Sequence, residues 1–275
     1  MKVREALNAA AGRLAAVSDT ARLDAELLMA HALGVEREAL LLGRLDEEAP
    51  ADFRPLIDRR LAHEPVAYIT GRRAFWTIEL EVGPGVLIPR PDSETLIEAA
   101  IAHFRKRRPA TILDLGTGPG TLLLAALDQW PKAVGTGVDN SPEALAYAQR
   151  NAERLGLGDR ARIVSGDWGE GLDQRYDLIL CNPPYIEAGA ELPPDVASYE
   201  PDAALYAGAD GLDNYRILPR MLLNLLAPGG VACIEIGAGQ EKNVSWLFAM
   251  QGFTIESRRD LRGIVRCLVL TLDRV

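Results

Sequence analysis

ILDLGTGPG, residues 112–120, decides the architecture of this chain. Ile112, Leu113 and Leu115 read as a short buried strand, Gly116 to Gly120 as a tight turn, and Thr121–Leu127 as an apolar helix leaving it. Glycines at the carboxyl end of a first strand let the backbone pass close to a ligand, the arrangement of doubly wound α/β folds.

Working outward, the chain goes on alternating strand and helix. Strands are predicted at Thr111–Leu115, Val134–Val138, Ala161–Ser165, Tyr176–Cys181, Val231–Ile236, Thr254–Ser257 and Arg266–Leu272, with helices such as Pro142–Leu155 and Leu212–Leu226 between them. That order predicts an α/β fold with a mostly parallel sheet covered on both faces. The last two strands are too close in sequence for a helical crossover, so the final one is expected to run antiparallel. Upstream the pattern differs. Residues 1–72 have helical periodicity, with Leu23, Leu27, Leu28 and Ala30 on one apolar face, Asp19 or Thr20 as cap and Gly34 as terminator. Residues 73–90 turn to period two: Trp76, Ile78, Leu80 and Val82 alternate with polar residues, and Gly83–Gly85 turns the chain into Val86–Ile88. The expected organisation is a helical domain (1–72), a β-hairpin linker (73–90) and an α/β domain (91–275).

The glycine turn is selective in its ligand. Its spacing is Gly-x-Gly-x-Gly, with Thr121 where a dinucleotide fingerprint has its last glycine, and Pro119 removes an N–H that a pyrophosphate would use. No Gly-Lys-Ser/Thr is present, which excludes a P-loop. Asp139 closes the second strand, where a carboxylate can accept from both ribose hydroxyls. Asp167 and Trp168 follow the third strand, an acid for an adenine amine and an indole to cover its ring. Asp114 is either a ligand contact or an organiser of the loop. Gly116, Thr117, Gly118, Pro119, Gly120, Asp139, Asp167 and Trp168 thus form a candidate site for S-adenosylmethionine, which carries no phosphate.

Asn182-Pro183-Pro184-Tyr185 follows the strand Tyr176–Cys181. Two prolines stiffen this loop and hold the residue before each of them extended. It offers an amide side chain, carbonyl oxygens with no adjacent N–H competing for them, and an aromatic face. A planar N–H₂ group can be held by two such acceptors, which suits methylation of an amide or an exocyclic amine.

A net charge of −9 argues against non-specific nucleic-acid binding. The basic run Arg105–Arg108 falls where a helix should end, so it serves either the helix dipole or a phosphate. Cys181, Cys233 and Cys267 lie in aliphatic runs and read as buried thiols of a reducing cytoplasm. His31, His63 and His103 are scattered, so no metal site is expected. The N-terminus has an early acid and no uninterrupted apolar run, unlike a secretory signal, and no stretch is long enough to span a membrane.

With these residues in hand, the chain resembles the HemK/PrmC protein-(glutamine-N5) methyltransferases. The resemblance is carried by Leu23–Leu28, Gly71–Trp76, Ile88–Asp92, Asp114–Gly118, Asp139 with Ser141-Pro142, Gly166–Trp168, Asn182–Tyr185, Tyr199–Pro201 and Gly211–Asp213. Pro119 and Ser93 depart from it, at positions where relatives often have a small residue and threonine. It implies a Rossmann-like seven-stranded class I S-adenosylmethionine-dependent methyltransferase domain behind a small helical substrate-recognition domain. It also implies a cytoplasmic enzyme methylating the Gly-Gly-Gln glutamine of class I peptide chain release factors, with Asn182, Pro183, Pro184 and Tyr185 both catalytic and substrate-binding and Asn182 also facing the cofactor. The alternatives are glutamine methylation of a ribosomal protein and N6-adenine or N4-cytosine methylation of nucleic acid. A non-catalytic S-adenosylmethionine-binding regulator is disfavoured by the intact Asn182–Tyr185 loop, and a nicotinamide dehydrogenase by the glycine spacing.

Overall fold

Val3–Leu14, Ala21–Leu33, Arg37–Gly43, Phe53–Leu61 and Val66–Thr70 are helices α1–α5 in the computed structural model, which describes residues 1–272. Strands β1 (Arg72–Phe75) and β2 (Ile78–Glu81) make a two-stranded sheet. A seven-stranded sheet follows, built of β3 (Thr111–Leu115), β4 (Val134–Asp139), β5 (Ala161–Ser165), β6 (Tyr176–Cys181), β7 (Leu226–Glu235), β8 (Phe253–Arg259) and β9 (Val265–Leu272). Helices α6 (Glu94–His103), α7 (Thr121–Gln129), α8 (Pro142–Arg154), α9 (Pro194–Ala197), α10 (Asp213–Leu225) and α11 (Glu241–Ala249) complete the chain.

The sheet order is β5-β4-β3-β6-β7-β9-β8, parallel as far as β7, with β9 antiparallel to both β7 and β8 as its short connection requires. Progress from β3 outward to β5 reverses when the chain returns to β6. The crevice of such a sheet opens at the carboxyl ends where the order reverses, and two loops leave there: the glycine turn after β3 and Asn182–Tyr185 after β6. The strand ends are held rigidly. Leu113, Leu115, Ile179, Cys181 and Ile234 are buried against Tyr215, Leu218 and Leu222 of α10 and Phe248 of α11. A fully buried side chain of this size contributes about 1.5–3 kcal/mol. All three cysteines are buried in strands.

Two compact units are present: Met1–Arg72 with Leu192–Glu200, and Arg73–Glu191 with the chain from Pro201 onward. The helical unit has its own core of Leu7, Leu14, Leu28, Met29, Leu40 and Ile57. Gly34 ends α2 in the left-handed conformation, φ 64°. The predicted face of α2 is rotated, however. Leu23 is 40% exposed, while Asp24 and Glu26 are buried because arginines neutralise them. Segment Leu192–Glu200 joins this unit through Asp195, 3.7 Å from Arg60, and Tyr199, whose hydroxyl donates to the Ala62 carbonyl at 2.8 Å.

The hairpin also differs from expectation. β2 pairs with β1, not with Val86–Ile88, which is not a strand. Trp76, read as a strand residue, takes φ 53° and forms the turn with Thr77, and its N–H donates to Glu94 Oε1 at 2.9 Å. Thr77 Oγ1 donates to Asp128 Oδ2 (2.6 Å) and Glu81 N to Asn151 Oδ1 (2.7 Å). Those bonds tie the hairpin into the sheet unit, so from Arg73 onward it belongs to that unit. In the basic run, Arg107 lies over the Phe104 ring and donates to the Gly229 carbonyl.

Candidate active site

A cavity of about 270 Å³ opens at the carboxyl ends of β3, β4 and β6, entirely within the sheet unit. Of the residues singled out in the sequence, Gly116, Thr117, Gly118, Pro119, Asp139, Asp167, Trp168, Asn182 and Pro184 line it. Gly120 does not. It precedes α7 at φ 89°, and a Cβ there would stand 2.7 Å from Leu124 Cδ1, so its role is close helix packing.

The glycine turn is organised from below by two carboxylates. Asp114 Oδ2 accepts from Thr117 Oγ1 (2.7 Å) and Leu123 N (3.0 Å). Asp139 Oδ2 accepts from Gly118 N (2.8 Å), and its Oδ1 from Ser141 N (2.9 Å). Each Asp139 oxygen retains a second lone pair for a ligand hydroxyl. Asp114 Oδ2 thus builds the loop, while Oδ1 is buried with no hydrogen-bond partner among the described residues and the residue lines the cavity. Burial pushes this carboxyl up to about 7, against hydrogen bonds from Thr117 and Leu123 that favour its charge. Trp168 adopts φ 53° and sets its ring beside Gly116, where a Cβ would lie 3.7 Å from it.

Three carboxylates (Asp114, Asp139, Asp167) and a single guanidinium, Arg90, line the cavity. That donor set does not suit a pyrophosphate. It suits a cationic ligand with a ribose, and the orphaned Asp114 Oδ1 is a ready partner for its positive charge. S-adenosylmethionine fits these residues.

The Asn182–Tyr185 loop is pinned by groups the sequence reading did not single out. Asn214 Nδ2 donates to the Pro184 carbonyl at 2.8 Å, and Gln240 Nε2 to the Tyr185 carbonyl at 3.0 Å. Asn182 Nδ2 donates to Ser93 Oγ at 3.2 Å, and among the described residues no hydrogen bond ends on its Oδ1. Among the described residues no hydrogen bond ends on the Pro183 carbonyl. Pro183 is buried, and neither it nor Tyr185 lines the cavity. The Tyr185 ring, expected against a substrate amide, packs toward β7 instead, its hydroxyl 3.4 Å from Glu235 Oε1. Burial, and next the Glu235 charge, push the phenol well up, so it stays a proton donor. Arg90, Ser93, Asn140, Tyr206 and Asn214 also line the cavity and were not assigned to it from sequence. Arg90 and Ser93 had a signal in the Ile88–Asp92 motif and its flank, which carried the family resemblance without a role assigned to either residue.

Comparison with known proteins agrees with this geometry. Residues 5–71 match the family described as PrmC N-terminal domain, and residues 92–198 the Methyltransferase small domain. A release factor glutamine methyltransferase of Rhodospirillum rubrum is 46% identical over 255 residues, covering 90% of this chain and 78% of that protein. One from Mycolicibacterium smegmatis is 40% identical and covers 98% of both chains. The chain belongs to the release factor glutamine methyltransferase family. Solved structures share its fold at lower identity: a methyltransferase from Pyrococcus furiosus (TM-score 0.54, 19% identity, 78% of this chain and 95% of that one) and a ribosomal protein methylase from Lactobacillus delbrueckii subsp. bulgaricus (TM-score 0.52, 20% identity, 70% and 84%). Membership accounts for both units, since one family match covers the helical part and the other the start of the sheet unit with its glycine turn and Asn182–Tyr185 loop.

Proposed function

We propose that this protein transfers a methyl group from S-adenosylmethionine to the side-chain amide nitrogen of the Gly-Gly-Gln glutamine in class I peptide chain release factors. The observation that carries the mechanism is the hydrogen-bond state of the Asn182–Tyr185 loop. Two of its carbonyls are occupied, by Asn214 and Gln240, while Asn182 Oδ1 and the Pro183 carbonyl are left to accept.

When bound, S-adenosylmethionine supplies an electrophilic methyl on a sulfonium. Gly116–Pro119 and Asp139 would hold it, with Asp167 and Trp168 around its adenine and Asp114 Oδ1 facing its positive charge. A carboxamide nitrogen is a weak nucleophile because its lone pair is delocalised into the carbonyl. Asn182 Oδ1 and the Pro183 carbonyl each accept one of its hydrogens, fixing its line of approach and stabilising the positive charge that grows on nitrogen during attack. Pro184 stiffens the loop, and Tyr185 anchors it to β7. The surplus proton leaves to water after transfer, so no strong base has to act beforehand.

The helical unit with Leu192–Glu200 supplies the surface that distinguishes a folded release factor from a free glutamine. No helix among the described residues is long and apolar enough to cross a membrane. The proposed substrate, a release factor, acts in the cytoplasm, and the enzyme is proposed to work there with it. The test is label transfer from S-adenosyl-[methyl-³H]methionine to a purified class I release factor, and to the same factor with its Gly-Gly-Gln glutamine replaced by alanine. Label on the first and none on the second is expected. Equal label on both would reject this substrate and turn attention to ribosomal proteins and oligonucleotides.

A further inference from the structure

Glu235, the last residue of β7, is 1% exposed and has no part in the chemistry above. Its Oε2 has no hydrogen-bond partner among the described residues, and no arginine or lysine lies within ion-pairing distance of it. Arg266, whose charge acts on it, is engaged by Asp92 (3.2 Å) and Asp260 (3.4 Å). A buried carboxylate without a paired cation destabilises a fold, so its presence calls for another reason.

Its neighbours supply one. Ser93 is 2% exposed and accepts from Asn182 Nδ2 at 3.2 Å. With its oxygen used in this way, the serine proton needs an acceptor, and the Glu235 side chain lies close enough for the Ser93 hydroxyl to favour its negative charge. Asn182, Ser93 and Glu235 therefore stand in sequence, the first pair hydrogen-bonded and Glu235 beside the serine hydroxyl. Tyr185, at the far end of the same loop, also returns to Glu235, 3.4 Å from Oε1. The backbone beneath is held as well: Tyr215 donates its hydroxyl to the Glu235 carbonyl at 2.9 Å.

We infer that Glu235 is a positioning residue of the methyl transfer, acting through Ser93 to keep the Asn182 carboxamide turned with its oxygen toward the substrate. This rests on the proposed grip of the glutamine amide. An ionised Glu235 accepts from Ser93, Ser93 accepts from Asn182, and Asn182 Oδ1 faces outward. A protonated Glu235 donates to Ser93 instead, whose proton then seeks Asn182 Oδ1. The carboxamide rotates, and its N–H₂ meets the N–H₂ of the substrate, donor against donor. Burial first of all pushes the Glu235 carboxyl up to about 7, with Ser93 and Arg266 opposing and Asp92 adding to the rise. Tyr185, Tyr215, Cys181 and Cys267 also face it, as neutral groups. Turnover is therefore expected to rise with pH through about 7.

The experiment measures steady-state methyl transfer to a purified class I release factor for the wild type, Glu235→Gln, Ser93→Ala, Ser93→Thr and the double variant Glu235→Gln/Ser93→Ala, with S-adenosylmethionine affinity by calorimetry. Supporting residues of this kind typically cost about 10–100-fold when removed. The expected result is a kcat loss of that order for Glu235→Gln and Ser93→Ala, cofactor Kd within about threefold, recovery of most of the rate in Ser93→Thr, and a double variant no worse than the poorer single one. Glu235→Gln should also flatten the pH profile. Losses that multiply in the double variant, or variants that turn over at the wild-type rate, would overturn the positioning role alone. A wild type that binds S-adenosylmethionine but leaves the release factor unlabelled would overturn the function, and the positioning role with it.

Discussion

Both units bury carboxylates, and they treat them in opposite ways. In the helical unit Asp24 meets Arg60 at 2.8 Å and also accepts from Ser18 (2.8 Å) and Thr20 (2.9 Å). Glu26 is held between Arg22 (2.7 Å) and Arg37 (2.7 Å), whose charges outweigh burial and keep its carboxyl below the usual range. In the sheet unit Asp114 and Glu235 each keep one oxygen without a partner, and burial pushes both up to about 7. Paired buried charges hold a fold in register. Unpaired ones leave electrostatic capacity for something that arrives later. The difference separates the helical unit, proposed above to support recognition, from the sheet unit that holds the candidate active site.

The largest effect that would test the contrast is in the helical unit. Arg60→Met strands Asp24 in the core, and a loss of about 3–5 kcal/mol in the stability of that unit is expected from chemical denaturation. A loss under about 1 kcal/mol would mean the pair is not structural. Asp114→Asn should act on the ligand instead. Removing one charge-assisted contact is expected to weaken S-adenosylmethionine binding by about 10–100-fold, or roughly 1.5–3 kcal/mol, with the fold intact. If calorimetry gave an unchanged Kd, the cationic partner assigned to Asp114 would be wrong.

The pH dependence has a definite sign. Asp114 and Glu235 are raised from 3.8 and 4.5 to about 7, so the folded protein holds their protons more tightly than the unfolded chain. Stability attributable to them is fully present below the unfolded values and is lost as pH rises through about 7. A cationic ligand favours ionised Asp114, so S-adenosylmethionine affinity should rise over the same interval, by up to about tenfold per pH unit, and Asp114→Asn should abolish that slope. An affinity independent of pH between 5.5 and 8 would contradict it. The smallest effect is at the surface, where the half-exposed Arg13–Asp58 pair at 2.7 Å should be worth under about 1 kcal/mol when Arg13→Ala is compared by thermal melting.

The strands were legible because continuous apolar runs bounded by glycine, proline and charge leave little else to form, and residues 111–115, 161–165 and 176–181 match without adjustment. The glycine turn, Asp139 and Asn182 were legible because chemistry fixes their residue types. Other features were hidden for physical reasons. Trp76 continues a period-two pattern yet forms the turn, since a bond from its N–H to Glu94 outweighs local preference. The burial of Asp24 and Glu26 has no local sign, because it depends on Arg37 and Arg60, 11 and 36 residues away, as well as on Arg22. Ser93, Asn214, and Glu235 with Gln240 converge on one loop from three distant segments, and no local spacing announces that.

Single-turnover methyl transfer by Asn182→Ala at saturating S-adenosylmethionine, with cofactor affinity measured alongside, tests the amide grip most directly. The predicted result is a rate about 100–1,000-fold below wild type, the cost of losing one preorganised partner of a developing charge, with cofactor Kd within about threefold. A rate close to wild type, or a loss explained wholly by weaker cofactor binding, would contradict it.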